Sequence, residues 1–184
     1  MLQQVEGRQR THDKLPTFAQ IEDWWYPVRL SCEQCSSEAT ARYKAAIIRQ
    51  LGEKQDILID LTGGYGVDTY FLSEQTAQAH YVERNEELCR IAQHNFQIAN
   101  KPIHVHNTSA EDFLAQYPMA GSVSSDVKKE VVVYLDPARR DAHGGKVFRI
   151  EDCEPNVTKI LSSLRTISNT ILIKFSPMLD ITSA

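Results

Sequence analysis

From residue 57 onward the chain alternates short apolar runs with longer amphipathic ones. The runs at 57–61, 79–83, 102–106, 131–136 and 170–175 read as strands, and the segments 67–75, 86–99, 110–117 and 155–167 carry apolar residues at helical spacing. Val131-Val132-Val133-Tyr134-Leu135 is apolar at every position, as a parallel strand covered on both faces requires. The repeated strand–helix unit predicts an α/β fold with a Rossmann-like, doubly wound, mostly parallel sheet. Upstream, Ser36-Ser37-Glu38 signals a helix start. Ala41, Ala45, Ile48 and Leu51 follow at helical spacing, and Gly52 sits where a C-terminal cap belongs, so a helix is expected over 37–51. Residues 1–35 read as polar and irregular, with an aromatic patch, Trp24-Trp25-Tyr26-Pro27, that either covers the sheet or docks a substrate base. Gly121 to Lys129 reads as a surface loop. The chain thus divides into an N-terminal helical extension over 1–52 and a core over 53–184.

Composition narrows the class without naming it. A length of 184 residues suits one domain with a sizeable core, and 42% hydrophobic with 24% charged residues is ordinary for a globular protein. No apolar run approaches the roughly 20 residues that span a bilayer, and the first residues lack an apolar leader, so the expected location is cytoplasmic. Cys32, Cys35, Cys89 and Cys153 fit a reducing compartment. Cys32-x-x-Cys35 has no second cysteine pair at usable spacing, so free thiols are expected and no metal is assigned. His104 and His106 share one face of a strand and read as packing residues. The net charge of −4 gives no global attraction to a polyanion; an RNA substrate would need a local basic surface or another domain.

The candidate chemistry begins at Ile57-Leu58-Ile59-Asp60-Leu61-Thr62-Gly63-Gly64-Tyr65-Gly66, an apolar strand that runs into a glycine-rich turn. Such a turn brings backbone N–H groups and a helix N-terminus close to a nucleotide-type cofactor. A dinucleotide fold wants a third glycine where Thr69 stands. S-adenosylmethionine sites carry an acid just before an Asp-x-Gly-x-Gly-x-Gly loop; Asp60, Gly64 and Gly66 match, and Thr62 replaces the first glycine. Asp60 is therefore assigned to the methionine ammonium, directly or through water, with capping of the following helix as its other use. Glu83 ends the second strand roughly twenty residues later, where an acid accepts from the ribose hydroxyls. Ser109, Ala110 and Glu111 follow the third strand and are candidates for the adenine contact, though Glu111 and Asp112 serve equally as acids of a helix first turn.

Asp136-Pro137 ends the fourth strand, beside the crevice where open α/β sheets bind ligands. It resembles the Asp/Asn-Pro-Pro-aromatic signature of enzymes that methylate exocyclic amines. A carboxylate and a carbonyl held by proline can orient the N–H bonds of a conjugated amine so that its lone pair faces an electrophile, mostly by positioning and electrostatics. Ala138 and Arg139 replace the second proline and the aromatic; the Arg139 guanidinium can stack on a base, as can Phe148, and Lys146 with Arg149 would make the mouth locally basic. Arg139 and Arg140 can equally pair with Asp141, Glu151 or Asp152 to close the loop.

Across residues 36–176 the chain resembles the class I S-adenosylmethionine-dependent methyltransferases. Within them it is similar to a bacterial group with a THUMP-like domain, through Glu33 to Ala41, Asp60 to Asp68, Asp136 to Arg140, and Glu151 to Pro155. It is also similar to small-subunit rRNA guanine-N2 methyltransferases, through Gly64, Gly66 and Asp68, through Arg84-Asn85, and through Val133 to Pro137. The resemblance implies S-adenosylmethionine bound by Asp60, Thr62, Gly63, Gly64, Gly66, Asp68, Glu83, Arg84, Ser109, Ala110 and Glu111. Catalysis falls to Asp136, Pro137 and Arg139, on guanine N2 in rRNA or tRNA. It also implies that the helix from Ser37 packs near the methionine end of the cofactor. Class I cores have seven strands and only five are identifiable, so the C-terminal edge strands and an RNA-binding domain are expected outside this chain. The alternatives are methylation of protein or small-molecule amines and a non-catalytic cofactor- or RNA-binding module.

Overall fold

The computed structural model describes residues 2–51, 55–117, 130–138 and 150–175. Strands β1 (Gln55–Asp60), β2 (Thr76–Glu83), β3 (Ile103–Asn107), β4 (Val131–Leu135) and β5 (Thr170–Ile173) form a sheet in the order β3-β2-β1-β4-β5. Every adjacent pair is parallel. The sheet is therefore wholly rather than mostly parallel over these strands.

Alternation along each strand sends side chains to two separate cores. Leu58, Tyr81, Val132 and Tyr134 pack on one face against α4 (Glu38–Gln50), α5 (Val67–Leu72) and α6 (Glu86–Ile98). Ile57, Ile59, Val82, Val133 and Leu135 face α7 (Ala110–Gln116) and α8 (Val157–Ile167), which contribute Phe113, Ile160, Leu164 and Ile167. Helices on both faces make the sheet doubly wound, as the strand–helix alternation predicts. Their starts are set locally: Ser37, Asn85, Ser109 and Asn156 each accept a backbone N–H from the residue three positions on.

The N-terminal extension is helical, as expected, but its helices begin before the one read over 37–51: α1 (Leu2–Thr11), α2 (Pro16–Ala19) and α3 (Arg29–Gln34) occupy much of the stretch read as irregular. Leu15, Trp24 and Tyr26 are buried between these helices and Phe18 within the four-residue α2, so they leave no helical period to read. Phe18 stacks on Trp24 at 4.1 Å, while Trp25 stacks on His94 of α6 at 3.9 Å and exchanges hydrogen bonds with Asn95. Both tryptophans thus serve packing. Cys32 is buried within this region and is a free thiol. His104 and His106 do not pack alone: they stack beside His80 of β2, under Phe113 and Tyr117. Among the described residues no helix is long and apolar enough to cross a membrane. The expected loop at 121–129 lies outside the described residues.

Candidate functional site

β1 leads outward to β2 and β3, and its other neighbour β4 leads outward to β5. The strand order reverses between β1 and β4, and ligands bind beyond the C-terminal ends of strands at such a switch point. A cleft of about 680 Å³ lies there.

The β1–α5 turn is shaped by packing behind it. Gly63 donates its N–H to Val82 O at 2.9 Å, and a Cβ on it would lie 2.3 Å from the Tyr81 ring, so only glycine fits. Gly64 and Gly66 have φ of +53° and +86°, which favour glycine, and Gly66 begins α5. A side chain at Gly64 would meet nothing closer than Thr62 O at 3.8 Å, so this part of the turn opens on the cleft. Tyr65, between them, accepts a hydrogen bond from Trp24 Nε1 at 2.8 Å, which ties the turn to the N-terminal region.

Asp60 lies behind the turn. It is fully buried and is not among the residues that line the cleft. Its carboxylate accepts from Thr62 N at 3.0 Å and Thr69 Oγ1 at 2.6 Å, and burial pushes its pKa up to about 7. Through these bonds Asp60 shapes the turn. Thr62, the residue in place of the first glycine, accepts from Asp136 N at 2.7 Å. Its hydroxyl joins the ends of β1 and β4 across the switch point, a role that spacing alone does not show.

Glu83 lines the cleft at the end of β2, its two oxygens accepting from Gly64 N at 3.0 Å and Asn85 N at 2.8 Å. The remaining lone pairs can accept from a ligand's hydroxyls. Ser109 and Ala110 line the cleft at the start of α7, but the Ser109 hydroxyl caps that helix and bonds Asp112. Glu111 also faces the cleft, while Asp112 is the acid taken up by capping. Arg84 is at the rim, its guanidinium in a two-pronged ion pair with Glu154. Glu154 is anchored by a backbone bridge to Ala138, and both line the cleft.

Asp68 sits in a buried cluster under the cleft floor. Ser36 Oγ and Tyr134 OH donate to its Oδ2 at 2.8 and 2.9 Å. Lys44 Nζ, also buried, donates to Ser36 and Tyr134 and lies 2.5 Å from Asp68 Oδ1, a contact between charges without hydrogen-bond alignment. Burial together with the neighbouring acids raises the Tyr134 pKa, so its phenol stays protonated. Lys44 is missing from the sequence-level site because a lysine on an amphipathic helix reads as solvated. Cys35 and Ser36 line the cleft ahead of α4, so the helix starting at Glu38 does approach this end of the site.

At the ends of β4 and β5, Asp136 and Lys174 face each other, with Lys174 Nζ donating to Asp136 Oδ2 at 2.5 Å. Both line the cleft together with Pro137 and Phe175. Lys174 and Phe175 lie within the predicted fifth strand but carry no motif, and only the sheet order brings them to Asp136. Arg139, with Arg140, Lys146, Phe148 and Arg149, lies outside the described residues. Among the described residues, five that line the cleft are acidic (Asp68, Glu83, Glu111, Asp136 and Glu154) and two are basic (Arg84 and Lys174).

No family model and no curated protein matches the sequence. Among solved structures, a "putative methyltransferase" from Porphyromonas gingivalis W83 is 32% identical over 98% of this chain, with a TM-score of 0.77. The chain spans 42% of that protein's length. A "putative RNA methyltransferase" from Pyrococcus horikoshii shares 14% identity over 88% of this chain and 73% of its own, with a TM-score of 0.55. A precorrin 8W decarboxylase from Methanobacterium thermoautotrophicum also shares 14%, over 75% of this chain and 63% of its own, at a TM-score of 0.51. The last two likenesses concern the fold alone. The chain has the Rossmann-like methyltransferase fold, a parallel five-strand sheet flanked by helices with a helical N-terminal region.

Proposed function

We propose that this chain is the cofactor-binding part of an S-adenosylmethionine-dependent methyltransferase. Its acceptor is read as an exocyclic amine of a nucleobase in RNA, with guanine N2 as the finer assignment. The observation that carries the cofactor is the charge of the cleft. Among the described residues Asp68, Asp136 and Glu154 are paired with Lys44, Lys174 and Arg84, and the charge left over at the cleft is that of Glu83 and Glu111. That charge disfavours the pyrophosphate of a dinucleotide and suits a ligand bearing a sulfonium and an ammonium. Glu83 and the backbone of Gly64 would hold the ribose, Ala110 and Glu111 the adenine side, and the turn beside Asp68 the methionine end. When bound, S-adenosylmethionine supplies an electrophilic methyl group whose sulfur leaves with the C–S electron pair.

The chain's own part in the reaction is positioning. Thr62 holds the Asp136 backbone at 2.7 Å, so the carboxylate and the Pro137 carbonyl stand at a fixed place beside the turn. From there Asp136 accepts an N–H of the amine and orients its lone pair. The amino acids of the cleft favour no phosphate, so an RNA backbone would be held outside it, on residues 139–149 or on a further domain of a longer protein. Asp136-Pro137 at the end of β4, which resembles the signature of enzymes that methylate exocyclic amines, supports that acceptor.

Calorimetric titration of the full chain with S-adenosylmethionine, S-adenosylhomocysteine and NAD tests the cofactor. Micromolar binding of the first two is expected; NAD binding without them would overturn the reading. Incubation with a labelled methyl donor, total RNA and a protein extract tests the acceptor. Label in RNA is expected, and label in protein alone rejects the nucleobase.

A further inference from the structure

We infer that Asp136 and Lys174 read the acceptor jointly, and that the acceptor is a nucleobase whose exocyclic amine stands next to a ring nitrogen with a free lone pair. This rests on the methyltransferase reading above. Leu135 of β4 pairs with Ile173 of β5, and Lys174 N donates to Leu135 O at 2.8 Å, so the ladder runs one step past both strands. Residues at matching register on parallel neighbours point to the same side, which sets Asp136 and Lys174 side by side over the cleft. Their side chains are 29% and 39% exposed, so the pair still faces open space.

A carboxylate and an ammonium 2.5 Å apart present one hydrogen-bond acceptor beside one donor. The complementary ligand edge has an N–H donor next to an acceptor. Adenine offers it at N6 and N1, cytosine at N4 and N3, and guanine at N2 and N3. The other side of guanine sets N2 beside a second N–H, which the Lys174 ammonium repels. A uracil ring has no exocyclic amine, and a lysine amine has no neighbouring acceptor. A glutamine amide has the same edge as the bases; Phe175, next in the chain and also lining the cleft, adds a ring on which a flat base can stack, and so favours the base. A pair serving only to neutralise Asp136 would treat all acceptors alike, and this separates the two roles.

The test uses the full chain. Total bacterial RNA is incubated with labelled S-adenosylmethionine, and the labelled nucleoside is identified by mass spectrometry. The shortest RNA still methylated is then made twice, intact and with the ring nitrogen beside the amine replaced by C–H. Wild type should lose about tenfold to a hundredfold in kcat/KM on the C–H version. Lys174→Met should be slow on both and no longer tell them apart, and Lys174→Arg should regain part of the difference. Equal rates for wild type on the two RNAs, or undiminished discrimination by Lys174→Met, would overturn the inference. So would label on a sugar hydroxyl or on a protein glutamine. Binding of S-adenosylhomocysteine without any label in RNA also overturns it and leaves the cofactor assignment standing, whereas absence of that binding removes the assignment itself.

Discussion

On the β2 side of the cleft, Gly63, Gly64 and Glu83 are held by main-chain bonds and a buried ring. On the β5 side, Asp136 is held by a half-exposed lysine, and the Arg84–Glu154 pair spans the rim. The first wall is set by packing, in which a single added methyl group has no room. The second is set by charges near water, which cost little to rearrange.

The sharpest way to break the contrast is beneath the floor, at the buried Lys44–Asp68 pair. Lys44→Met leaves Asp68 charged and unpaired, and should cost about 3–5 kcal/mol in urea unfolding, with Lys44→Met/Asp68→Leu recovering part of it. Gly63→Ala forces a methyl group into the Tyr81 ring. It should cost about 1–3 kcal/mol and weaken S-adenosylhomocysteine binding in the same titration, because the turn itself must shift. Glu83→Gln keeps the fold but removes the charge that accepts from the ribose, and should raise the dissociation constant about tenfold.

Acid should act on the β2–β3 side first. Burial and the neighbouring His106 and His104 push the His80 pKa down to about 4, and the His106 pKa is lowered as well. An unfolded histidine titrates near 6.5, so between these values the unfolded chain binds more protons and stability rises with pH. The histidine contribution should therefore fall as pH drops from about 6.5 to 4, by about 1 kcal/mol after solvent screening, while Asp60, whose pKa is raised by burial, works in the opposite sense over the same range. Thermal melting of wild type against His80→Asn isolates the histidine part: the stability difference between the two should change across that range; β4 and β5 carry no histidine. The smallest effect is expected at the rim, where Arg84→Ala should change stability by less than about 0.5 kcal/mol. A tenfold loss of cofactor affinity in that variant would instead restore the cofactor role that its position after Glu83 suggests.

Much of the site was legible because local chemistry writes it. The glycine turn, the acid at the end of β2 and Asp-Pro at the end of β4 each follow from a short stretch whose spacing has one structural use. At Asp60 spacing leaves two roles open. An acid before a glycine turn can serve a ligand or the turn, and only burial separates the two. Lys44 and Lys174 carried no signal, and the partners of Thr62 and Glu154 could not be read, since each acts through a residue distant in sequence.

The sequence by itself determined a parallel, doubly wound sheet and the turn at the end of its first strand, because period-two alternation and glycine backbone freedom are local properties. Tertiary structure alone decided which charges meet: Lys44 with Asp68, Arg84 with Glu154, Lys174 with Asp136. Those pairings depend on the order in which strands lie side by side. That order is settled by burying two apolar cores at once, a condition on the whole chain rather than on any segment of it.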